Sequence, residues 1–231
     1  MNNNSEGVPF KIDPEFLKKV LADRKVMIEL TRQSFFWFFL IYFSNHITYE
    51  LAPFHYKMIE IGQDESIKRA GIMTFRNSGK STILNTAWAL WEIMGIHQKK
   101  HIAIASQTQQ RIKDHLMNIR KAVEKYQLLR ENLGPFQEKE DRWHSTTLIL
   151  TKYGARISAI SSEEGIRGLR EGPYRPEIII ADDIEDSSSV KTREGRDKIF
   201  SWFSGELLTL GSRDTKVVVL GNFLHDDSAL S

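Results

Sequence analysis

A short segment, Gly79-Lys80-Ser81-Thr82, constrains the fold more strongly than any other stretch of the chain. Apolar residues that suit the end of a strand precede it, and a helix-forming run follows it as far as Gly95. A glycine and a lysine between a strand and a helix are typical of a phosphate-binding loop, because N–H groups at the helix N-terminus hold phosphate oxygens. The residues expected to bind a nucleotide are Arg76, Asn77, Ser78, Gly79, Lys80, Ser81 and Thr82.

Two side chains of this loop have expected roles. Lys80 should reach the β- and γ-phosphates, and the Ser81 hydroxyl should bind Mg²⁺. The loop departs from the pattern G-x-x-x-x-G-K-[ST] at its first position, where Thr74 stands in place of glycine. Because the same short run also begins ordinary helices, the loop alone leaves both interpretations open.

A second segment places acidic residues at the end of a predicted buried strand. The run over 178–181 is apolar throughout, as in strands that are buried on both faces, and Asp182-Asp183 follows it. Carboxylates at the carboxyl end of such a strand lie where open α/β sheets bind ligands. We expect Asp182 to bind Mg²⁺, and either Asp183 or Glu185 to polarise the attacking water. The alternative is that these acids lie at a helix N-terminus, where the helix dipole stabilises negative charge.

The order of the predicted elements defines the fold class. Strands alternate with helices, which favours a mainly parallel sheet flanked by helices. Together with the two sites, this predicts an α/β P-loop NTPase of the RecA/ASCE-like type over residues 61–231. Residues 10–60 are predicted to form a helical segment packed on that core, and residues 1–9 a disordered tail. A hairpin around Lys152-Tyr153-Gly154 and one long helix over 107–133 complete the prediction.

Composition excludes several classes of protein. The chain contains no cysteine, which excludes disulfide frameworks and thiolate metal sites. Its net charge is only +2, so any nucleic-acid contact needs a local patch, and the basic face of the helix over 107–133 is either such a patch or simply solvated. The apolar run over 35–43 is shorter than the roughly 20 residues of a membrane span. It predicts a buried helix, with a partner-binding surface as the alternative.

Further motifs stand in a fixed order around the two sites. They are Arg76 three residues before Gly79, the run IRGLR…YRPEIIIADDIED over 166–186, Trp202-Phe203, and VVVLGNFLHDD over 217–227. In this order the motifs resemble the ATPase domain of the phage terminase large subunit, the DNA-packaging motor. The resemblance covers most of the chain from about residue 50 to its end.

The resemblance implies a Mg²⁺-dependent ATPase that drives double-stranded DNA into a viral procapsid. ATP and Mg²⁺ are the implied cofactors. The implied partners are double-stranded DNA, the portal protein of the procapsid and a small terminase subunit. A homo-oligomeric ring is implied for the assembled motor, with the isolated domain monomeric, in the host cytoplasm and without a membrane partner.

The resemblance also implies roles for individual residues. Arg76 holds the place of a loop arginine that faces the γ-phosphate. Arg167 or Arg170 holds the place of an arginine presented to a neighbouring subunit, and the choice between them is open. Gly221-Asn222 follows the next buried strand, where the family has its coupling motif. The implied base-binding residues are Phe54, His55 and Tyr56.

The chain departs from the family pattern at the acid and at the base contact. Asp183 stands in place of glutamate and reaches one methylene less far, so hydrolysis could be slow or could use Glu185. His55 stands where relatives often have glutamine, which leaves nucleotide selectivity open. Terminases also carry an endonuclease domain, for which the residues after Gly221 leave no room, so we expect the ATPase part alone. The alternative functions are a helicase-like P-loop DNA translocase and a non-catalytic nucleotide-binding module.

Overall fold

A six-stranded, mostly parallel β-sheet forms the centre of the fold. The structure, a computed structural model, describes residues 12–136, 146–163, 175–186 and 189–222. In chain order the strands are β1 (Arg69–Met73), β2 (His101–Ser106), β3 (Thr147–Leu150), β4 (Ala155–Ser161), β5 (Ile178–Asp182) and β6 (Lys216–Gly221). Their order in the sheet is β1-β6-β5-β2-β4-β3, and each neighbouring pair is parallel except β3 with β4. The predicted hairpin and the predicted fold class are confirmed.

Helices cover both faces of the sheet. They are α1 (Pro14–Ala22), α2 (Arg24–Gln33), α3 (Phe35–Tyr42), α4 (Pro53–Gln63), α5 (Ala89–Met94), α6 (Gln109–Lys125), α7 (Gln127–Leu133), α8 (Arg193–Trp202) and α9 (Leu208–Leu210). A π-helical segment, Ser81–Trp88, leads into α5, and a second, Phe203–Leu207, joins α8 to α9. Short 3₁₀ turns lie at Ser44–His46 and Thr151–Tyr153.

The central strands are apolar on both faces because each face has its own core. β2, β5 and β6 are buried along their whole length. Ile180 and Val218 belong to the larger core, with the N-terminal helices, whereas Ile179 and Val217 belong to the smaller core, with α8. Covered parallel strands therefore show continuous apolar runs instead of alternation.

The aromatic run of the N-terminal part forms a buried helix, as predicted. Phe35, Phe38 and Phe43 are completely buried, and the Phe35 ring lies 5.5 Å from the Trp91 ring of α5. The N-terminal helices thus share a core with the sheet. In the part of the chain that the structure describes, no helix has both the length and the apolar character needed to cross a bilayer.

The prediction of one long helix over 107–133 is wrong, because the chain breaks at Tyr126. Its backbone is extended, with φ −80° and ψ 105°, and it separates α6 from α7. The Tyr126 ring packs edge-on against Phe43 at 5.3 Å, and its hydroxyl is hydrogen-bonded to His46. The side chain of Tyr126 therefore contacts the N-terminal helices at the position where the helix breaks.

The strand order brings the two predicted sites to one edge of the sheet. β6 lies between β1, which precedes the phosphate loop, and β5, which ends in Asp182. Both segments bond to the end of β6, since the Thr74 N–H donates to Gly221 O at 3.1 Å and the Asp183 N–H to Leu220 O at 2.9 Å. The carboxyl ends of parallel strands meet at this edge, which is where such sheets bind ligands.

Candidate functional site

The loop between β1 and the π-helical segment turns through two left-handed residues. Asn77 has φ 65° and Gly79 has φ 79°, conformations that asparagine tolerates and glycine adopts freely. The helical hydrogen bonds begin at once, with the Ile83 N–H donating to Gly79 O at 2.9 Å. A turn of this kind directly before a helix is how a phosphate loop presents its N–H groups to an anion.

Thr74 fits the loop without strain, although the usual pattern has glycine there. Its φ is not among the positive values, so the backbone does not need the freedom of glycine. Its hydroxyl lies 2.8 Å from the Ser78 hydroxyl and bridges the two ends of the loop. The departure from the pattern thus adds a hydrogen bond.

Asp182 lies directly below the loop. Its Oδ2 atom accepts hydrogen bonds from Ser81 Oγ at 2.7 Å and from Asn85 Nδ2 at 2.5 Å. The residue is 1% exposed, and its Oδ1 atom is buried with no hydrogen-bond partner among the described residues. A buried carboxylate with a spare oxygen beside a serine hydroxyl fits the oxygen ligands that Mg²⁺ uses.

Asp183 faces the pocket and two cations. Its φ of 46° is left-handed, which turns the chain away from β5 after Asp182. The carboxylate lies 3.6 Å from Lys80 Nζ and 3.7 Å from Arg111 NH1. Arg111 NH1 also donates to the Asp183 carbonyl oxygen at 3.1 Å. The acid at position 183 is therefore close to the loop lysine, as a shared phosphate site requires.

An open cavity of about 540 Å³ joins the loop to the acidic strand. Residues on its lining are Arg76, Asn77, Ser78, Gly79, Lys80, Ser81, Thr82, Arg111, Asp183, Glu185, Asp186 and Asn222. The structure thus brings together the residues predicted for the phosphates and for the water. Asp182 lies beneath this lining, through its bond to Ser81.

A second cavity of about 280 Å³ adjoins the loop on the side of the N-terminal helices. His55 lines it, together with the chain between α3 and α4 and the loop residues Asn77, Ser78 and Gly79. His55 Nδ1 accepts the Ala52 N–H at 2.9 Å, so Nε2 carries the proton and donates to Ser78 O at 3.0 Å. Burial lowers the pKa of His55 from its ordinary value.

The other two predicted base contacts lie elsewhere on α4. The Phe54 ring packs at 5.4 Å from Phe75, which precedes Arg76 in the loop. The Tyr56 ring stacks at 5.9 Å on Phe36 among the N-terminal helices. The exposed aromatic residue that does line the cavity is Tyr49, which is 85% exposed and which the sequence interpretation overlooked.

Three polar residues at the site were also missed. Asn85 lies one helical turn after Ser81 and binds Asp182. His115 on α6 contacts both Asp182 and Asn85. Its Nε2 atom lies 3.5 Å from Asp182 Oδ2, and its Nδ1 atom lies 3.2 Å from Asn85 Nδ2. Arg111 lies one turn before His115, so the two side chains share one face of α6, next to the buried Ile112. This i,i+4 spacing is the sequence signal that could have predicted them as site residues.

The remaining predicted residues divide into two groups. Gly221 ends β6 and accepts the Thr74 N–H, and Asn222 lines the larger cavity with its Oδ1 atom buried and unpaired among the described residues. Arg167 and Arg170, the candidates for the arginine presented to a neighbour, lie outside the described residues.

The fold and the site geometry define a class: an α/β fold of the P-loop ATPase type. Among solved structures, the chain is similar to the HK97 bacteriophage large terminase, with 16% identity and a TM-score of 0.53, covering 79% of this chain and 35% of that one. It is also similar to the ATPase domain of the Thermus phage P74-26 large terminase. A point mutant of that domain gives 15% identity and a TM-score of 0.52, covering 80% of this chain and 71% of that one. A second structure of the domain has 15% sequence identity and a TM-score of 0.51, and the match covers 78% of this chain and 67% of that one.

These similarities show the fold, which is that of phage large terminase ATPase domains. The chain spans about a third of the length of the HK97 protein, given the 35% coverage. Its sequence matches no protein-family model and no curated protein.

Proposed function

We propose that the chain is the ATPase part of a terminase-like DNA-packaging motor. The observation that carries this proposal is the 2.7 Å hydrogen bond between Ser81 Oγ and Asp182 Oδ2. It joins the end of the phosphate loop to the acidic strand, 101 residues further along the chain. A serine hydroxyl and an aspartate that meet below a phosphate loop are the residues that hold Mg²⁺ in P-loop NTPases.

Ser81 and Asp182 would hold the ion, which supplies charge neutralisation at the β- and γ-phosphates. Lys80 would bind the same phosphate oxygens. Arg76, on the lining of the cavity, would stabilise the charge that spreads over the γ-phosphate oxygens in the transition state. These cations act on charge that grows during the reaction, so they would lower the barrier more than they strengthen binding.

The attacking water would be held by Asp183 or by Glu185, both of which line the cavity. The Asp183 carboxylate lies near Lys80, and incoming phosphates would compete for that lysine. Asp183 would then face the water with one cation fewer beside it. Glu185, at 7% exposure, is the alternative acceptor.

The smaller cavity supports a place for the nucleotide base. It adjoins the phosphate loop, and Tyr49 and His55 lie on its lining. An exposed tyrosine ring can stack on a base, whereas His55 donates its proton to Ser78 O and so holds the loop. In this proposal Tyr49 makes the main contact with the base. Phe54, which packs on Phe75, and Tyr56, which packs on Phe36, would act on the base only through these neighbours.

The assembly around this ATPase is part of the same proposal. Residues 61–231 would form the ATPase domain and residues 10–60 a helical segment on it, and a full-length terminase would also carry an endonuclease. Arg167 or Arg170 would act on the nucleotide of a neighbour in a homo-oligomeric ring. The partners would be double-stranded DNA, the portal protein of the procapsid and a small terminase subunit, in the host cytoplasm.

Phosphate release by the wild type, Lys80→Ala and Asp183→Asn tests the ATPase. We expect hydrolysis by the wild type that requires Mg²⁺ and is lost in Lys80→Ala. A loss in Asp183→Asn as well would assign the water to Asp183, and retained hydrolysis in that variant would assign it to Glu185. Equal rates in all three would contradict the proposal and leave a nucleotide-binding module, which the shorter acid at position 183 favours. A forked DNA duplex added to the active protein tests the helicase-like alternative, since a packaging motor should not unwind it without portal and procapsid.

A further inference from the structure

Asp183 has an unusual backbone conformation that needs support from its neighbours. L-residues other than glycine adopt a left-handed conformation only rarely, although aspartate and asparagine tolerate it better than most, and Asp183 has φ 46°. Both backbone polar groups of the residue are held from outside its own strand. Its N–H donates to Leu220 O of β6, and its carbonyl oxygen accepts from Arg111 NH1 of α6.

Arg111 is itself well placed to hold a neighbour. It lies in the first turn of α6, where its N–H donates to the capping Thr108 hydroxyl at 3.4 Å. The next residue, Ile112, is completely buried, and Leu116 anchors the following turn. The position of the guanidinium is therefore set by a 17-residue helix packed on the sheet.

The contact between Arg111 and Asp183 contributes little to stability. The side chain of Arg111 is 42% exposed and the ion-pair distance is 3.7 Å. Partly exposed pairs of this kind add little to stability, because water screens the two charges. A contact that fixes geometry without adding much stability suits a functional role better than a structural one.

The binding of a nucleotide makes this contact more important. Among the described residues, Lys80 is the other cation next to the Asp183 carboxylate, at 3.6 Å. Phosphates would draw Lys80 away, and Arg111 would then be the cation of these two that still holds residue 183. A guanidinium can bind the carbonyl and the carboxylate of one residue together, because it has several donors in a fixed plane.

We propose that Arg111 is a positioning residue of this chain, which holds Asp183 so that its carboxylate faces the attacking water. This inference rests on the proposed ATPase function. It assigns a role within the same subunit to Arg111, for which the sequence predicts either a solvated charge or part of a nucleic-acid-binding patch. It also explains how an aspartate, one methylene shorter than glutamate, is kept in place.

The test compares Arg111→Met, Arg111→Lys and a matched control, Lys113→Met. The control removes a charge from the exposed face of the same helix. In Arg111→Met we expect kcat to fall on the order of 100-fold, the loss that a misplaced group of about 1 Å can cause. KM and the affinity for a fluorescent ATP analogue should stay within about twofold. Arg111→Lys should recover part of kcat because it keeps the charge, and Lys113→Met should resemble the wild type.

A second readout does not depend on turnover. Hydrogen exchange of the Asp183 amide, which is bonded to Leu220 O, should speed up in Arg111→Met and stay unchanged in Lys113→Met. Unchanged exchange at this amide, or a loss of ATP affinity with kcat intact, would overturn the positioning role. If the wild type hydrolyses no ATP and exchange nevertheless speeds up in Arg111→Met, the ATPase proposal fails while the positioning of Asp183 by Arg111 stands.

Discussion

Two buried lysines, Lys80 and Lys216, lie at opposite ends of the parallel strands and have different surroundings. The Lys216 ammonium, at the start of β6, donates to three carbonyl oxygens of α4 and the turn after it, those of Ile61, Gly62 and Asp64, at 2.7–2.8 Å. It also lies 5.2 Å from the centre of the Trp88 ring. Lys80, in contrast, makes a longer ion contact, with its Nζ atom 3.6 Å from the Asp183 carboxylate.

If the proposed ATPase function holds, the difference separates a structural charge from one that binds a ligand. Lys216 uses its three N–H donors within the protein, so a ligand has nothing to bind there. Burial lowers its pKa, and nearby Glu92 and Glu65 oppose that shift. Lys80 faces an open cavity together with Asp183 and Arg76. Similar burial in two lysines therefore has two meanings, and the partners of each decide which applies.

The largest expected effect is on hydrolysis in Lys80→Ala. Removal of the ammonium from the phosphates should lower the rate on the order of 10²–10³-fold, as for other charge-stabilising groups. The melting temperature should change little, because the ion contact of Lys80 with Asp183 is long. Phosphate release and thermal unfolding of the same preparation measure both. A large loss of stability would mean that Lys80 is structural and would remove the contrast.

The opposite pattern is expected for Lys216→Met. Three carbonyl oxygens lose their donor, and the free energy of unfolding should fall by about 3 kcal/mol. Hydrolysis per folded molecule should stay close to that of the wild type, since Lys216 lies at the far end of β6 from the pocket. Denaturant unfolding measures the free energy of unfolding, and the rate of ATP hydrolysis at low temperature measures the activity per folded molecule. Wild-type stability in this variant would contradict the structural role.

Asp182→Asn should lower the affinity for Mg²⁺ without unfolding the protein. The amide can still bond to Ser81 and Asn85, so stability without nucleotide should change by less than about 1 kcal/mol. The concentration of Mg²⁺ needed for half-maximal nucleotide binding should rise by about 10–100-fold. Titration of Mg²⁺ against a fluorescent ATP analogue measures it. An unchanged Mg²⁺ requirement would place the metal elsewhere.

A smaller effect is expected on the pH dependence of stability through His55. Burial lowers its pKa, so the neutral ring stabilises the fold fully above its unfolded pKa of about 6.5. This contribution is lost as the pH falls through the lowered pKa of the folded state. His55→Gln should therefore reduce the difference in unfolding free energy between pH 7.5 and pH 5.5. An identical difference in wild type and variant would remove His55 from the explanation.

Local patterns in the sequence predict much of the fold. The phosphate loop, the apolar strand before Asp182 and the buried aromatic helix all have short signals that depend on residues close together in the chain. The break at Tyr126 has no such signal, because it depends on contacts with Phe43 and His46, about 80 residues earlier. Secondary structure is least predictable where a distant side chain determines it.

The site was predicted in part for the same reason. Lys80, Ser81 and Asp182 belong to segments with recognisable order, so their meeting could be expected. Arg111 and His115 lie on a helix whose charged face looks like ordinary solvated surface, and only the strand order brings that helix to Asp182 and Asp183. Phe54 and Tyr56 were chosen by their type and position, but the orientation of α4 decides which rings reach the cavity.

The central claim is that Lys80 and Asp182 act on one nucleotide–metal complex. A crystal structure of the protein with Mg²⁺ and a slowly hydrolysed ATP analogue tests it most directly. We predict that the metal lies at Ser81 Oγ and the Asp182 carboxylate, and that Lys80 Nζ binds the γ-phosphate. A nucleotide bound away from the loop, or a metal without contact to either Ser81 or Asp182, would contradict the claim.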